Sequence, residues 1–232
     1  MAISIALLKA FELFKELPDP LLEKLASQSH LADYAKRQVV LEARATSESV
    51  FLLFEGRLQG IDFTLDGKEV GLYFIEPGDI FGEISLFDQS IQNEVIIATA
   101  KSRVLHIPKK LFAPIMTSSP ALMNAIFQRM ANRIRILTEQ RNLLSINNIP
   151  QRVGSLIWMM LPHKEASNDN LYLSNPPTHQ EIGMMLNLSR ETVTRVFKML
   201  QEQGLVKKDG SKRLIILNAQ SFIKLINGKE NS

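Results

Sequence analysis

The spacing of apolar side chains changes twice along the chain, and each change predicts a different kind of structure. Residues 3–16 carry apolar side chains at helical spacing up to Pro18, which predicts an N-terminal helix. From Ala32 to Pro108 short runs rich in Val, Ile, Leu and Phe alternate with Gly, Pro and Asp turns, a pattern typical of a β-sandwich or barrel. The predicted strands cover residues 39–43, 50–56, 57–63, 70–79, 95–100 and 103–108.

A long helical pattern follows the strands. Ser118 or Ser119 can cap it, Pro120 suits its first turn, and no Gly or further Pro interrupts it before about residue 147. Its apolar side chains recur at alternating spacings of four and three, with Arg141 interrupting, which is the register of a coiled-coil seam. This length and register favour pairing between two chains over a single core helix. The predicted dimer interface comprises Met123, Phe127, Met130, Ile134, Leu137 and Leu144.

The stretch from Thr178 to Leu200 predicts two capped helices joined by a tight turn. Thr178 and Glu181 have the spacing of a capping box at the start of the first helix. After the turn, Ser189 can cap the second helix by accepting a hydrogen bond from one of its first backbone N–H groups. The pattern is therefore that of a helix-turn-helix.

The second of these helices has two chemically different faces. Its apolar face consists of Val193, Val196, Phe197 and Leu200. The opposite face consists of Arg190, Glu191, Thr194, Arg195 and Lys198. Guanidinium and carboxylate groups in the first turns of a helix are suited to reading base edges in a DNA major groove. A solvated charged face is the ordinary explanation for an isolated helix, but the capped helix pair and a basic hairpin downstream favour DNA contact.

The hairpin is predicted over residues 205–217, with Asp209-Gly210 at its tip. Four basic residues flank the turn: Lys207, Lys208, Lys212 and Arg213. Beside a base-reading helix, such a wing is expected to contact phosphates, which contribute much of the affinity of a protein for DNA.

Composition and charge agree with this interpretation. The chain has 232 residues, of which 45% are hydrophobic and 22% charged, so it is expected to fold as an ordinary globular protein. Residues 150–232 carry 11 Lys and Arg against 7 Asp and Glu, whereas residues 1–149 carry 16 against 17. The basic excess therefore lies in the segment that would meet DNA.

The sequence contains no cysteine, which excludes disulfides and thiolate metal sites and fits a reducing cytoplasm. No apolar run is long enough to span a membrane, and the N-terminus lacks the pattern of a signal peptide. We therefore expect a cytoplasmic protein with no membrane partner.

The motifs QEIG at 180–183 and SRETVTR at 189–195 resemble the helix-turn-helix of the CRP/FNR family of bacterial transcription regulators, and within it the cyclic AMP receptor protein type. Thr194 stands where that type has glycine. The resemblance implies that Arg190, Glu191 and Arg195 read bases in a palindrome of TGTGA-like half-sites. The side chains expected to contact the DNA backbone are Thr178, Gln180, Ser189, Thr192, Thr194, Lys198, Lys207, Lys208, Lys212 and Arg213.

The segments FLLFEGRLQG and IEPGDIFGEISLF resemble the effector-binding β-roll of the same family. The predicted fold class is α+β, in three parts. Residues 1–117 are a cyclic-nucleotide-binding-like β-roll with flanking helices, residues 118–147 a dimerisation helix, and residues 148–232 a winged helix-turn-helix. We expect a homodimeric regulator with double-stranded DNA and RNA polymerase as partners, and not an enzyme.

The effector site departs from the family pattern. Cyclic-nucleotide members hold the phosphate with an arginine in a cassette that begins with FGE, and here Asn93 stands at that arginine's place with Glu94 beside it. No Arg or Lys lies between Lys68 and Lys101, so we expect no tight binding of cyclic AMP. The candidate pocket residues are Gly82, Glu83, Ile84, Asn93, Glu94 and Thr138.

Several alternatives remain open at the level of sequence. The β-roll could bind another small effector, bind haem through a histidine such as His30, His106 or His163, or bind no ligand. The histidines show no ligand spacing, and no cofactor or metal is predicted. A regulatory module that does not bind DNA, and a cupin-like enzyme needing a histidine triad on its strands, fit the sequence less well.

Overall fold

The structure is a computed structural model that describes residues 3–44, 47–87, 94–161, 171–210 and 212–228. It divides into two compact units, Met1–Ile136 and Leu137–Ser232, and the boundary falls within one long helix. Among the described residues, no helix combines the length and the apolar character needed to cross a bilayer.

The N-terminal segment forms two short helical pieces instead of the single helix predicted over residues 3–16. Helix α1 spans Ile5–Lys9, and a 3₁₀ turn spans Glu12–Phe14. Between them Phe11 has an extended backbone (φ −93°, ψ 127°), and its ring packs edge-on against Phe54 at a centroid distance of 5.6 Å. The break lets side chains on both sides of it enter the core, so tertiary packing overrides the local helical pattern. Helix α2 spans Asp19–Gln28.

Within the described part of the first unit, eight strands build the β-roll as two antiparallel four-stranded sheets, with strand orders β1-β8-β3-β6 and β2-β7-β4-β5. The strands are β1 His30–Tyr34, β2 Val39–Leu41, β3 Ser49–Glu55, β4 Leu58–Phe63, β5 Glu69–Ile75, β6 Ile80–Phe81, β7 Val95–Ala98 and β8 Ser102–Pro108. The sequence did not predict β1, whose polar and half-exposed residues pair with β8 along the edge of a sheet. The predicted strand over residues 70–79 is divided between β5 and β6.

Two apolar clusters stabilise this unit. One lies between the sheets and includes Phe51, Tyr73 and Phe81. The other joins the first sheet to the helices and includes Phe14 and Phe112. Helix α3 spans Lys109–Ser118 and helix α4 spans Pro120–Leu144.

The described residues of the second unit form four further helices and a three-stranded sheet. The helices are α5 Ile149–Met159, α6 His179–Leu186, α7 Arg190–Glu202 and α8 Ala219–Ile226, and the strands are β9 Tyr172–Ser174, β10 Val206–Asp209 and β11 Arg213–Ile216. The predicted hairpin is present as β10 and β11, and β9 pairs with β11 as a third strand that the sequence did not predict. The predicted α+β fold with a β-roll, a long helix and a winged helix-turn-helix is confirmed.

Candidate nucleic-acid interface and effector pocket

The helix-turn-helix has the two N-caps that the sequence predicted. Thr178 Oγ1 accepts a hydrogen bond from the backbone N–H of Glu181 at 3.3 Å, and Glu181 Oε2 accepts one from the N–H of Thr178 at 2.7 Å. Ser189 Oγ accepts from the N–H of Thr192 at 3.1 Å. Asn187 ends α6 in the left-handed conformation (φ 53°), which turns the chain sharply toward α7. These bonds satisfy backbone groups at both helix starts and fix the turn locally.

Gly183 allows the two helices to approach each other closely. A Cβ atom added at Gly183 would lie 2.6 Å from the carbonyl oxygen of Leu188, where no real Cβ fits. The backbone N–H of Leu188 donates to the carbonyl of Gly183 at 2.8 Å. The glycine of the QEIG motif is therefore required by contact with the turn itself.

Helix α7 presents one buried and one exposed face, as predicted. Its apolar face is almost fully buried, from 0% exposure at Val193 to 6% at Val196. The polar residues Arg190, Glu191 and Arg195 are exposed on the opposite side. A hydrogen bond from its own backbone N–H, followed by one from the Ser189 hydroxyl, lowers the pKa of Glu191, so this carboxylate stays ionised beside the arginines.

The side chains predicted to meet the DNA backbone lie on the exposed parts of α6, α7 and the wing. Exposed members are Thr178, Gln180, Ser189, Thr194, Lys198, Lys207, Lys208, Lys212 and Arg213, and Thr192 is partly buried. Two of the wing cations make further contacts. The guanidinium of Arg213 lies 5.2 Å from the centre of the Tyr172 ring, and the ammonium of Lys208 lies 3.1 Å from His179 Nε2. Sequence reasoning missed His179, because its contacts join residues 15 and 29 positions away.

The candidate effector pocket contains a buried ion pair that sequence reasoning also missed. Arg133 on α4 donates from Nη1 to Glu83 Oε1 at 3.0 Å and from Nη2 to the carbonyl of Ile80 at 3.0 Å. The side chain of Glu83 is 3% exposed and that of Arg133 is 18% exposed. Burial raises the pKa of Glu83, while the adjacent guanidinium opposes that shift. The absence of Arg and Lys between Lys68 and Lys101 therefore does not leave this region without a cation, because α4 supplies one from 50 positions away.

Tyr73 fills the space next to this pair. The guanidinium of Arg133 stacks over its ring, and its hydroxyl donates a hydrogen bond to Glu94. Gly60 makes room for the ring, since a Cβ there would lie 3.0 Å from Tyr73 Cζ. Burial raises the pKa of Tyr73 well above its usual value, so the hydroxyl remains a proton donor.

The other predicted pocket residues lie in different surroundings. Gly82 is buried with a positive φ of 73°, which favours glycine. The side chain of Ile84 is 39% exposed, so it faces solvent in part. Thr138 belongs to the second unit, and Asn93 lies outside the described residues.

The predicted seam of α4 is only partly open to solvent. Phe127 is 51% exposed, Ile134 63%, Leu137 37% and Leu144 42%. Met123 and Met130 are partly buried and pack against the core of the first unit. The exposed members form an apolar stripe along the helix.

The histidines available to a haem or metal are few. His30 and His106 stack at a centroid distance of 4.5 Å, and Tyr34 Oη lies 3.0 Å from His106 Nε2. His163 lies outside the described residues. Within the described ranges, no three His, Asp or Glu side chains are grouped closely enough to hold a metal ion.

A β-roll of the cyclic-nucleotide-binding type, joined through a long helix to a winged helix-turn-helix, defines a class of DNA-binding transcription regulators. The comparisons agree with this class. A family model described as a cyclic nucleotide-binding domain matches residues 31–119, and one described as a Crp-like helix-turn-helix domain matches residues 151–225. The chain belongs to the CRP/FNR family of bacterial transcription regulators.

Similar curated proteins include two regulators named as cAMP-activated. The global transcriptional regulator CRP of Pasteurella multocida is 28% identical over 193 residues, which cover 83% of this chain and 92% of that protein. The global transcriptional regulator Vfr of Pseudomonas aeruginosa is 26% identical over 198 residues, which cover 84% of this chain and 92% of that protein.

Solved structures share the fold at lower sequence identity. FixK2 from Bradyrhizobium japonicum superposes with a TM-score of 0.71 at 20% identity, covering 85% of this chain and 96% of that one. A CooA mutant from Carboxydothermus hydrogenoformans superposes with a TM-score of 0.74 at 18% identity, covering 95% of each chain. This likeness establishes the architecture alone.

Proposed function

We propose that this protein is a homodimeric, sequence-specific regulator that binds a palindrome of TGTGA-like half-sites without control by cyclic AMP. The observation that carries the proposal is the exposed face of α7, where Arg190, Glu191 and Arg195 project from a helix whose other face is buried. Guanidinium groups bond well to guanine O6 and N7, and a carboxylate accepts from cytosine N4.

In this proposal Arg190, Glu191 and Arg195 read base edges, and the neighbouring polar side chains hold the phosphates. Thr178 and Ser189 mark the N-termini of α6 and α7, where backbone N–H groups and the helix dipole favour an anion. Lys207, Lys212 and Arg213 extend the cationic surface along the wing. Phosphate contacts of this kind position a protein on DNA and carry no sequence information directly.

The exposed apolar stripe on α4 supports the homodimer. Phe127, Ile134, Leu137 and Leu144 repeat at heptad-like spacing, and large apolar side chains in a regular row are suited to pairing with a second copy. A two-fold dimer would present two α7 helices to half-sites about one DNA turn apart. Met123 and Met130, which pack on the core of the first unit, would contribute at the margin of this contact.

The contacts of Arg133 support the loss of cyclic AMP control. Both terminal nitrogens of its guanidinium are used, one by Glu83 and one by Ile80, and its face is covered by Tyr73. A cyclic phosphate entering the roll would compete with Glu83 for this guanidinium and would meet a second carboxylate on Glu94. Like charges brought together away from water repel strongly, so the roll favours its internal ion pair over an added anion.

The proposal also assigns the parts of the chain to separate tasks. Residues 1–117 form the sensor-like roll, residues 118–147 the pairing helix and residues 148–232 the DNA-binding domain. We extend it to RNA polymerase as a partner, since the family acts on transcription.

Fluorescence anisotropy on a labelled duplex tests the proposal. The duplex carries TGTGA and TCACA half-sites separated by about six bases. The titration is run at fixed salt, with and without cyclic AMP, against a scrambled duplex of the same length. We expect tight binding to the palindrome that the nucleotide leaves unchanged.

Two results would contradict parts of this expectation separately. Specific binding only in the presence of cyclic AMP would support the proposed DNA binding. It would disprove the proposal that this binding is independent of cyclic AMP. No preference for the palindrome over the scrambled duplex, with and without the nucleotide, would disprove the assigned half-site.

A further inference from the structure

The side chain of His179 joins three elements of the DNA-binding unit. It occupies the first residue of α6, and its Nδ1 lies 2.8 Å from Thr194 Oγ1 on α7. Its Nε2 lies 3.1 Å from Lys208 Nζ on β10. Its ring also stacks on Phe197 at 4.6 Å, and the Lys208 ammonium lies 5.3 Å from the centre of that same Phe197 ring. The imidazole therefore bridges α7 and the wing, which also meet directly where Lys208 lies over Phe197.

The direction of each hydrogen bond fixes the protonation state of this ring. A lysine ammonium has donors only, so Nε2 must be unprotonated in order to accept from Lys208. The Thr194 hydroxyl donates to the carbonyl of Arg190 at 2.8 Å, so its oxygen accepts from an N–H at His179 Nδ1. Only the neutral ring with its proton on Nδ1 satisfies both contacts.

The charges around the ring disfavour its protonated form. The charged groups that face it are Lys208 from β10 and Arg190 from α7, and both are cationic. The carboxylate of Glu181 on the same helix is engaged at the N-cap, where it accepts from Thr178. Burial lowers the pKa of His179, and the two cations lower it further.

We infer that His179 is a positioning residue that sets the spacing between the recognition helix and the wing, and that it does so only in its neutral form. The inference rests on the proposed function. A proton on Nε2 would point an N–H at the ammonium of Lys208 and break this contact, which removes the bridge through the imidazole between the wing and α7. The imidazolium would also add charge near the phosphates. Acid should therefore weaken the preference for the correct sequence more than it weakens binding to DNA in general.

The contact with Thr194 is a feature of this chain. Thr194 stands where the motif that this helix resembles has a glycine, and a glycine has no hydroxyl to accept from Nδ1. The contact between Thr194 and His179 thus joins α7 to α6 at a point close to Arg195, which is proposed to read bases.

Nitrogen-15 NMR of the imidazole in the DNA-free protein tests the first part of the inference. At about pH 7.5 we expect a protonated Nδ1 and an unprotonated Nε2. In free histidine the opposite tautomer is preferred, so this result would identify the network directly. A ring protonated on Nε2 at this pH would overturn the inference without any reference to DNA.

The second test measures the ratio of affinities for the palindrome and for the scrambled duplex. Because the pKa of His179 is lowered, we expect the ratio in the parent protein to begin to fall only below about pH 6.5 and to be roughly tenfold smaller once the ring is protonated. The ratio should stay flat in His179→Phe, which keeps the stacking on Phe197 but has no ring nitrogen. Thr194→Val provides a second variant that removes only the hydroxyl, and it should reduce the ratio at neutral pH. A pH-independent ratio in the parent would refute the positioning role.

A pair of matched lysine variants distinguishes the effect of the Lys208–His179 contact from the effect of losing one positive charge on the wing. Lys208→Met and Lys207→Met each remove one cation from the wing, but only Lys208 contacts His179. In the parent protein we expect Lys208→Met to change the ratio of affinities for the palindrome and the scrambled duplex. This effect should be largely absent when His179→Phe is also present, whereas the effect of Lys207→Met should persist. Equal behaviour of the two lysines would refute the inference. A parent with no sequence preference would instead overturn the proposed function, and the tautomer measurement would still be valid.

Discussion

The guanidinium carbon of Arg133 lies 4.6 Å from the centre of the Tyr73 ring, so a helix that begins outside the β-roll places a cation against an aromatic side chain inside it. The same guanidinium neutralises Glu83, whose Oε2 has no hydrogen-bond partner among the described residues. The arrangement makes the interior of the roll dependent on one residue of α4.

Removal of this residue should destabilise the first unit strongly. Arg133→Met leaves the Glu83 carboxylate buried and unpaired, and we expect a loss of about 3–5 kcal/mol in the free energy of unfolding, measured by urea denaturation followed by circular dichroism. Arg103→Met is the control, because Arg103 pairs with Asp33 at 31% and 60% side-chain exposure. A surface pair of this kind contributes at most about 1 kcal/mol. Equal losses in the two variants would contradict the importance of the buried pair, and Arg133→Met combined with Glu83→Gln should recover much of the stability.

His106 should make the first unit sensitive to acid. Burial and the neighbouring His30 lower its pKa from 6.5 to about 4. Because the folded pKa lies below the unfolded one, the unfolded chain binds more protons between these values, and stability is lost as pH falls from 6.5 toward 4. Since the ring is only partly buried, we expect about 2 kcal/mol of this loss to disappear in His106→Gln. Parallel stability curves for parent and variant across this pH range would refute the assignment.

The residues that we propose to read bases should affect binding and specificity together. Arg190→Ala and Arg195→Ala are each expected to weaken binding to the palindrome by about 1–3 kcal/mol and to relax the preference over scrambled duplex. Lys224→Ala, on α8, removes a cation from the same unit outside the proposed interface and should leave that preference unchanged. If all three variants behave alike in anisotropy titrations, the arginines act through charge alone.

A charge placed in the apolar stripe should prevent formation of the proposed homodimer. Ile134 is 63% exposed, and Ile134→Glu would place a carboxylate opposite its own copy in a dimer. We expect sedimentation or light scattering to detect monomers at concentrations where the parent is dimeric. Gln128→Glu adds the same charge at an exposed position of α4 outside the stripe and should remain dimeric. Dissociation of both variants, or of neither, would argue against this interface.

The features that the sequence predicted well depend on neighbours close in the chain. The caps at Thr178 and Ser189 need partners only three positions away, and the two faces of α7 follow from helical periodicity. Strand β1 was missed because its polar and apolar residues do not alternate regularly. It forms a strand because it pairs with β8. Arg133 and His179 were missed because their partners come from distant segments that only the folded chain brings together.

The approach of Leu188 to Gly183 has a consequence for how this protein can change. The angle at which α7 leaves the turn depends on the absence of a single carbon atom, since any side chain at residue 183 would meet a carbonyl oxygen at 2.6 Å. Gly183→Ala would therefore tilt α7 while leaving unchanged every side chain that is proposed to contact DNA. The residues proposed to read bases can therefore change while the backbone of the turn stays the same. The turn itself tolerates almost no substitution at Gly183. New sequence preferences should thus arise by exchange of residues on the surface of α7, and not by reorientation of the helix.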